Sequence, residues 1–305
     1  MRTFSAGDVA RALPPRRAVE ILERAFRAPL PPLVPRAHVA LAGGTLLMMP
    51  AQSASGTAGV KLVTVNALPA AAGVPRVQGA YVLLARETLA PLAVLDAAAL
   101  TCVRTAAVSA LATKYLVADR NAPARLVIFG TGPQAVAHVE AIAALVEVAC
   151  VYAVARVPGR EGPVLAKARE LGIDAEPATR AVVERATIVC TCTSSAVPVF
   201  PGSALRPGTH VNAIGTYTPD RRELDDDAIA AGPIVVESRA EALAESGDLI
   251  QPLASGAIAS SAIAADLHEL VNGAQVRRAP SDVTIFKSVG LAIEDLVLAE
   301  ALAGA

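Results

Sequence analysis

The sequence carries almost no net charge: 27 Lys and Arg stand against 28 Asp and Glu in 305 residues, a formal −1. Nucleic acids and anionic membranes bind through a concentrated basic surface, so neither is expected as a partner. Histidine is scarce too. His38, His138, His210 and His268 include no i,i+4 pair, which argues against a metal hydrolase. The four cysteines, Cys102, Cys150, Cys190 and Cys192, show neither zinc-ligand spacing nor a C-x-x-C pair. They read as buried, reduced thiols, and no metal site is expected. Also missing is an apolar run of the roughly 20 residues that a membrane span needs. Asp96 and Glu147 interrupt two rich stretches, and residues 1–8 have no secretory-type apolar run. A soluble, cytoplasmic protein is expected.

What the chain does have is apolar residues, 53% of the total, enough for two cores at ~100–200 residues per domain. Residues 5–28 read as one helix with Val19, Leu22 and Phe26 on a single face, ended by Pro29, Pro31 and Pro32. Short apolar or β-branched runs at 35–41, 45–49, 60–65, 81–85 and 92–96 then predict a strand-rich module. A helix over about 97–116 closes it. Thr101, Thr105, Ser109 and Thr113 recur on that helix every four residues, a stripe of small side chains suited to close packing.

Residues 119–123 are polar and contain Pro123, as an interdomain linker would be. Beyond them strands and helical segments alternate: 125–129, 133–146, 149–154, 161–171, 180–185, 187–192, 210–214 and 234–237. That alternation predicts an α/β, doubly wound parallel sheet of Rossmann type. A last amphipathic segment at 288–302 is expected to return to the first module. The expected domains are therefore an α+β unit over 1–118, completed by 286–305, and a Rossmann unit over 119–285.

The strand at 125–129 runs into Gly130-Thr131-Gly132-Pro133-Gln134-Ala135 and a helix start, the order a dinucleotide site requires. Gly130 permits the tight turn, Gly132 lets the backbone approach a pyrophosphate, and Ala135 keeps helix and strand close. Pro133 suits the first helical turn, whose free N–H groups face the anion. NAD sites usually end the next strand with an acid that binds the ribose 2′-OH. Here that strand ends in Arg156, whose guanidinium suits a 2′-phosphate, with Arg160 as a second contact. NADP(H) is expected over NAD(H), with Arg156 as a solvated surface charge the alternative.

Three stretches together resemble the ornithine cyclodeaminase/mu-crystallin family: the run from Arg104-Thr105-Ala106-Ala107 to Ala112, the glycine turn, and the run from Thr284-Ile285-Phe286-Lys287 to Asp295. Residues 208–215 and 222–225 agree with it. The resemblance implies a homodimer whose first module, with the C-terminal helix, binds a small imino or keto acid while the Rossmann domain carries the nicotinamide. Matching motif by motif puts the family's catalytic Lys on Lys61 and its carboxylate-binding Arg residues on Arg104 and Arg36. The chemistry agrees, since forked guanidinium donors fix a carboxylate and a cation polarises an imine. Lys61 and Arg104 sit in apolar surroundings, where a cation needs a counter-charge, whereas Arg36 also reads as a surface charge. Arg76 either recognises a second anionic group or faces water. Thr105, Thr191, Thr193, Ser194 and the Ser288-Val289-Gly290 turn are expected to line the cofactor site, together with Thr131 and Gln134.

Two departures matter. Ornithine cyclodeaminases carry a Glu where this chain has Leu47, and an Asp where it has Tyr217. Without those acids, ornithine cyclodeamination is not expected. The expected activity is reduction of a small cyclic ketimine or 2-imino acid, such as a pyrroline-2-carboxylate, with Tyr217, Lys61 or a water as proton donor. Alanine dehydrogenase-like reductive amination and cofactor binding without catalysis are the competing readings.

Overall fold

Proline placement decides the N-terminal region. In this computed structural model, which describes residues 1–68 and 73–304, strand β1 (Arg2–Phe4) leads into helix α1 (Ala6–Ala12). Ser5 and Asp8 close a reciprocal capping box at the start of α1. Helix α2 (Pro15–Arg27) begins on Pro15 after an extended Pro14. The single helix expected over 5–28 is thus two, because adjacent prolines suit a helix start and cannot continue a helix already running. Val19, Leu22 and Phe26 are buried together on α2, as their spacing requires.

Strands β2 (Ala37–Leu41), β3 (Gly44–Gln52), β4 (Ala58–Asn66), β5 (Val77–Leu84) and β6 (Pro91–Asp96) form an antiparallel meander, and β1 adds in parallel to β6. Alternation puts Leu47, Met49, Lys61, Val63, Tyr81, Leu83, Ala93 and Leu95 on one buried face. Cross-strand register then aligns Met49, Lys61, Tyr81 and Leu95 in one row. β2, at the sheet edge, is exposed along its length.

The chain divides into two compact units, Met1–Arg104 with Gly290–Ala305, and Thr105–Val289. The division falls inside helix α3 (Ala97–Leu116) rather than at residues 119–123. Hydrogen bonds explain why the second half of α3 goes with the second unit. Ser109 donates to His138 Nε2 at 2.9 Å, Thr113 accepts from Asn212 at 3.0 Å, and the Leu116 carbonyl accepts from Arg277 at 2.7 Å. The small-residue stripe is therefore a polar tie.

The second unit is an eight-stranded parallel sheet among the described residues. It contains β7 (Ala124–Phe129), β8 (Val148–Val154), β9 (Asp174–Pro177), β10 (Ile188–Thr191), β11 (His210–Ala213), β12 (Ile234–Val236), β13 (Ile263–Asp266) and β14 (Thr284–Lys287), in the order β13-β12-β14-β11-β10-β7-β8-β9. Six α-helices connect it: α4 (Pro133–Ala143), α5 (Gly162–Glu170), α6 (Asp226–Ala230), α7 (Arg239–Glu245), α8 (Gly247–Ser255) and α9 (Leu267–Val271). Residues 180–185 form a 3-10 turn. The chain runs from β7 outward through β8 and β9, then crosses back to β10 on the other side of β7. That reversal is the topological switch point at which α/β sheets bind ligands beyond their strand ends.

Helix α10 (Ala292–Ala303) packs on α2, β3, β4 and β5. The segment expected over 288–302 thus does return to the first unit, and its helix buries Ile293, Glu294, Asp295, Leu296, Leu298 and Ala299. Two of those residues are acidic, and the reason lies in what they meet. Among the described residues no helix is long and apolar enough to cross a membrane, and no cluster of metal-ligating side chains occurs. All four thiols are free, but only Cys190 is fully buried, where burial pushes it up to about 12; the other three are half-buried.

Candidate active site

In the first unit the sheet and two helices concentrate charge in an apolar setting. Lys61, from the buried face of β4, places Nζ 2.7 Å from Asp295 Oδ2, and both side chains are essentially inaccessible to solvent. Arg104, on α3, reaches Glu294 at 3.3 Å through Nη1 and Asp295 at 3.8 Å through Nε. Arg36, just before β2, donates to the carbonyl of Gly290. Gly290 has φ +79°, and a Cβ there would lie 2.2 Å from Arg104 Nη1, so only glycine lets that guanidinium lie against the chain. Arg36, Lys61 and Arg104 thus gather around Gly290 and the first turn of α10.

Burial pulls the Lys61 ammonium down to about 8. Asp295 works against that shift, while Arg104 and Arg36 add to it. Tyr81, beside Lys61 in the register, is held far above its ordinary range by burial, then by Asp295 and Glu300, and stays a neutral phenol. Such a cluster can bind an organic anion through its guanidinium groups and present a dischargeable ammonium to it.

The second unit supplies a dinucleotide cradle. Gly130, at the end of β7, has φ +111°, and a Cβ would fall 2.4 Å from the Cys192 carbonyl that follows β10. Gly132 caps α4 with extended backbone and open space above its Cα. No side chain caps that helix start, and Ala135 is fully buried against the sheet. These are the features a pyrophosphate needs: a close backbone approach, free N–H groups and a positive helix end. Arg156 lies exposed two residues beyond β8, the strand beside β7, and Arg160 is exposed in the following turn.

The comparison with known sequences decides the family, because its profile matches residues 8–303. The chain belongs to the ornithine cyclodeaminase/mu-crystallin family. It is 37% identical over 266 residues to a Delta(1)-pyrroline-2-carboxylate reductase of Bacillus cereus, covering 85% of this chain and 80% of that one. To the ketimine reductase mu-crystallin of Rattus norvegicus it is 36% identical over 261 residues, 84% of this chain and 79% of that one. The structure of Thermococcus litoralis Delta(1)-pyrroline-2-carboxylate reductase in complex with NADH and L-proline superposes with a TM-score of 0.93 at 30% identity, covering 100% of this chain and 97% of that one.

The other residues singled out from the sequence occupy varied settings. Arg76 is exposed at the bend before β5. Leu47, where ornithine cyclodeaminases carry Glu, is buried opposite Val63 and offers no proton acceptor. Thr191 and Thr193 give their hydroxyl hydrogens to buried Glu223, at 2.8 and 2.6 Å. Ser288 likewise donates to Glu237 at 2.6 Å, while Ser194 is exposed. Thr105 is buried on α3, and Tyr217 and Thr131 are half-buried.

Sequence reasoning missed the carboxylates. Glu294 and Asp295 belong to the third family-like stretch, but their pairing with Arg104 and Lys61 joins positions about 190 and 234 residues apart. The usable signal was the one already noted, that a buried cation requires an anion.

Proposed function

We propose that the protein is an NAD(P)H-dependent imine reductase acting on a small cyclic ketimine carboxylate of the pyrroline-2-carboxylate type. The observation that carries this reading is the gathering of Arg36, Lys61 and Arg104 with two buried carboxylates in the first unit. Identity of about 35% to pyrroline-2-carboxylate and ketimine reductases over most of the chain supports it.

Arg104 and Arg36 hold the substrate carboxylate by forked hydrogen bonds, and the Lys61 ammonium polarises the C=N bond. The buried apolar row around Lys61 excludes water and strengthens both interactions. Gly130, Thr131, Gly132, Pro133, Gln134 and Ala135 would hold a nicotinamide dinucleotide, which would supply the hydride. Thr191, Thr193, Ser194, Thr105 and the Ser288-Val289-Gly290 turn complete its pocket in this proposal.

NADP(H) is the preferred cofactor in our reading, because no acid follows β8 and Arg156 stands there instead. The Thermococcus relative was solved with NADH, so the choice between cofactors rests on Arg156. Titration of both cofactors against wild type and Arg156→Glu tests it; a markedly tighter fit of NADH to wild type overturns the preference. A homodimer belongs to the same proposal, supported by an edge strand β2 exposed along its length with apolar Val39 and Leu41 outward. Light scattering at micromolar concentration reads the mass directly.

Cofactor oxidation on a substrate panel tests the activity. Turnover of preformed Δ1-pyrroline-2-carboxylate or its six-membered homologue is expected. Turnover only of pyruvate plus ammonia, or NAD(P)H binding without any turnover, would overturn the proposal in favour of reductive amination or of simple cofactor storage.

A further inference from the structure

We infer that Asp295 is a positioning residue that holds Lys61 as a charged donor aimed at the substrate nitrogen; the inference rests on the imine-reductase reading above. Lys61 enters from β4, in the middle of a buried sheet face, while Asp295 enters from the first turn of α10. Their 2.7 Å contact fixes one end of an otherwise flexible four-carbon side chain.

A purely structural buried pair would satisfy both carboxylate oxygens. This one does not. Arg104 lies against both Glu294 and Asp295, so the Lys61–Asp295 contact is part of a larger buried cluster. Asp295 Oδ1 is buried without a hydrogen bond, 3.8 Å from Arg104 Nε. The guanidinium groups of Arg104 and Arg36 suit the carboxylate of an organic acid, and both work to discharge Lys61.

The groups around Lys61 divide by element. α10 contributes Asp295, which keeps the proton on Lys61, and Glu294, which pairs with Arg104. α3 contributes Arg104 and the segment before β2 contributes Arg36, both of which expel the proton. β5 contributes the neutral Tyr81. Asp295 is therefore the group that opposes burial and two guanidinium charges. In the reaction the Lys61 Nζ–H bond would break and a new N–H bond would form on the imine nitrogen, using the C=N π electrons; the carbon would take the hydride that a bound nicotinamide supplies. The neutral amine left behind recovers its proton from water.

The test compares kcat/KM between pH 6 and 10 for wild type, Asp295→Asn and Asp295→Glu. Wild type is expected to lose activity through an alkaline limb near pH 8, where Lys61 discharges. Asp295→Asn should move that limb down by roughly one pH unit or more, and Asp295→Glu by about half a unit or less. A second readout needs no cofactor: affinity of the unloaded protein for pyrrole-2-carboxylate, a planar analogue that cannot be reduced, should fall over the same pH range and shift in the same way. An unmoved limb in an active Asp295→Asn overturns the inference. So does a limb near pH 8 that survives in Lys61→Arg, whose side chain does not titrate there, and this variant decides the matter should Asp295→Asn fail to fold. Failure of wild type to reduce any cyclic imine would instead overturn the functional reading.

Discussion

The two units each bury a cluster of charge, and the clusters differ in completeness. In the second unit, both oxygens of Glu223 accept two hydrogen bonds each: Thr193 N–H and Oγ1 on one, Thr191 Oγ1 and Gly215 N–H on the other. Asp248 is as fully served, by the N–H groups of Glu223 and Leu224 on one oxygen and by Thr216 and Lys287 on the other. Carboxylates outnumber cations there, yet every lone pair has a partner. In the first unit Asp295 retains a buried oxygen with no hydrogen bond. A network satisfied by the protein alone stiffens the fold, whereas one left unsatisfied is matched to a ligand.

If that contrast is sound, substitutions in the first cluster act on turnover and those in the second act on stability. The sharpest attempt to break it is Lys61→Ala. Removing a polarising or proton-donating group costs roughly 10²–10⁴-fold in kcat/KM, with cofactor affinity unchanged. An active Lys61→Ala would make the first cluster as structural as the second. Next in size is Gly290→Ala, whose methyl group would occupy the place of Arg104 Nη1 at a backbone of φ +79°. We expect KM for the imine to rise by about tenfold or more, with a smaller change in kcat, since a displaced guanidinium loses its forked grip on a carboxylate. Steady-state kinetics separates the two constants.

Glu223→Gln probes the other side. Its amide NH2 would face two hydrogen-bond donors wherever it replaced an oxygen, at a cost of about 1–3 kcal/mol in unfolding free energy, read by urea denaturation. The same variant should change imine KM little. A stable Glu223→Gln would mean that the second cluster is not the structural one.

Acid sensitivity adds a smaller effect in the second unit. Burial holds His138 down to about 4 and His210 down to about 3, each kept neutral among hydrogen-bonding neighbours. Unfolded imidazoles take up protons near pH 6.5. Falling pH therefore favours the unfolded chain, and stability should be lost progressively from about pH 6.5 downward. Replacing His138 by Gln should flatten part of that slope in thermal melts.

How much of this was legible in the sequence follows from the range over which each signal acts. The glycine turn is local, and its strand, turn and helix start could all be read from residues 125–135. Lys61 and Arg104 stood out because each is a charge in an apolar run. Glu223 and Glu237 lie in connections, Asp248 in the first turn of α8 and Lys287 at a strand end, and nothing local marks them as buried. Their partners lie up to 71 residues away, and burial depends on which loops the strand order brings together. β9, β13 and β14 are four residues each, too short for a period to show. The split of 5–28 into two helices was written in Pro14 and Pro15, where turn chemistry outweighed hydrophobic spacing.

The smallest expected effect concerns the cation that the structure leaves outside the first cluster. Arg76 shares its charge with Arg36 and Arg104 but not their setting, since it is exposed at the bend before β5. Its backbone carbonyl, not its side chain, does the local work, accepting from Asn66 N–H at 2.9 Å to close the β4–β5 ladder. An exposed guanidinium is solvated and screened, so its pull on a substrate anion is weak. Arg76→Ala should leave kcat and imine KM within about twofold of wild type, and its melting temperature almost unchanged. A large rise in KM confined to substrates with a second carboxylate would bring Arg76 into the site and extend the cationic cluster beyond the three groups that gather around Gly290.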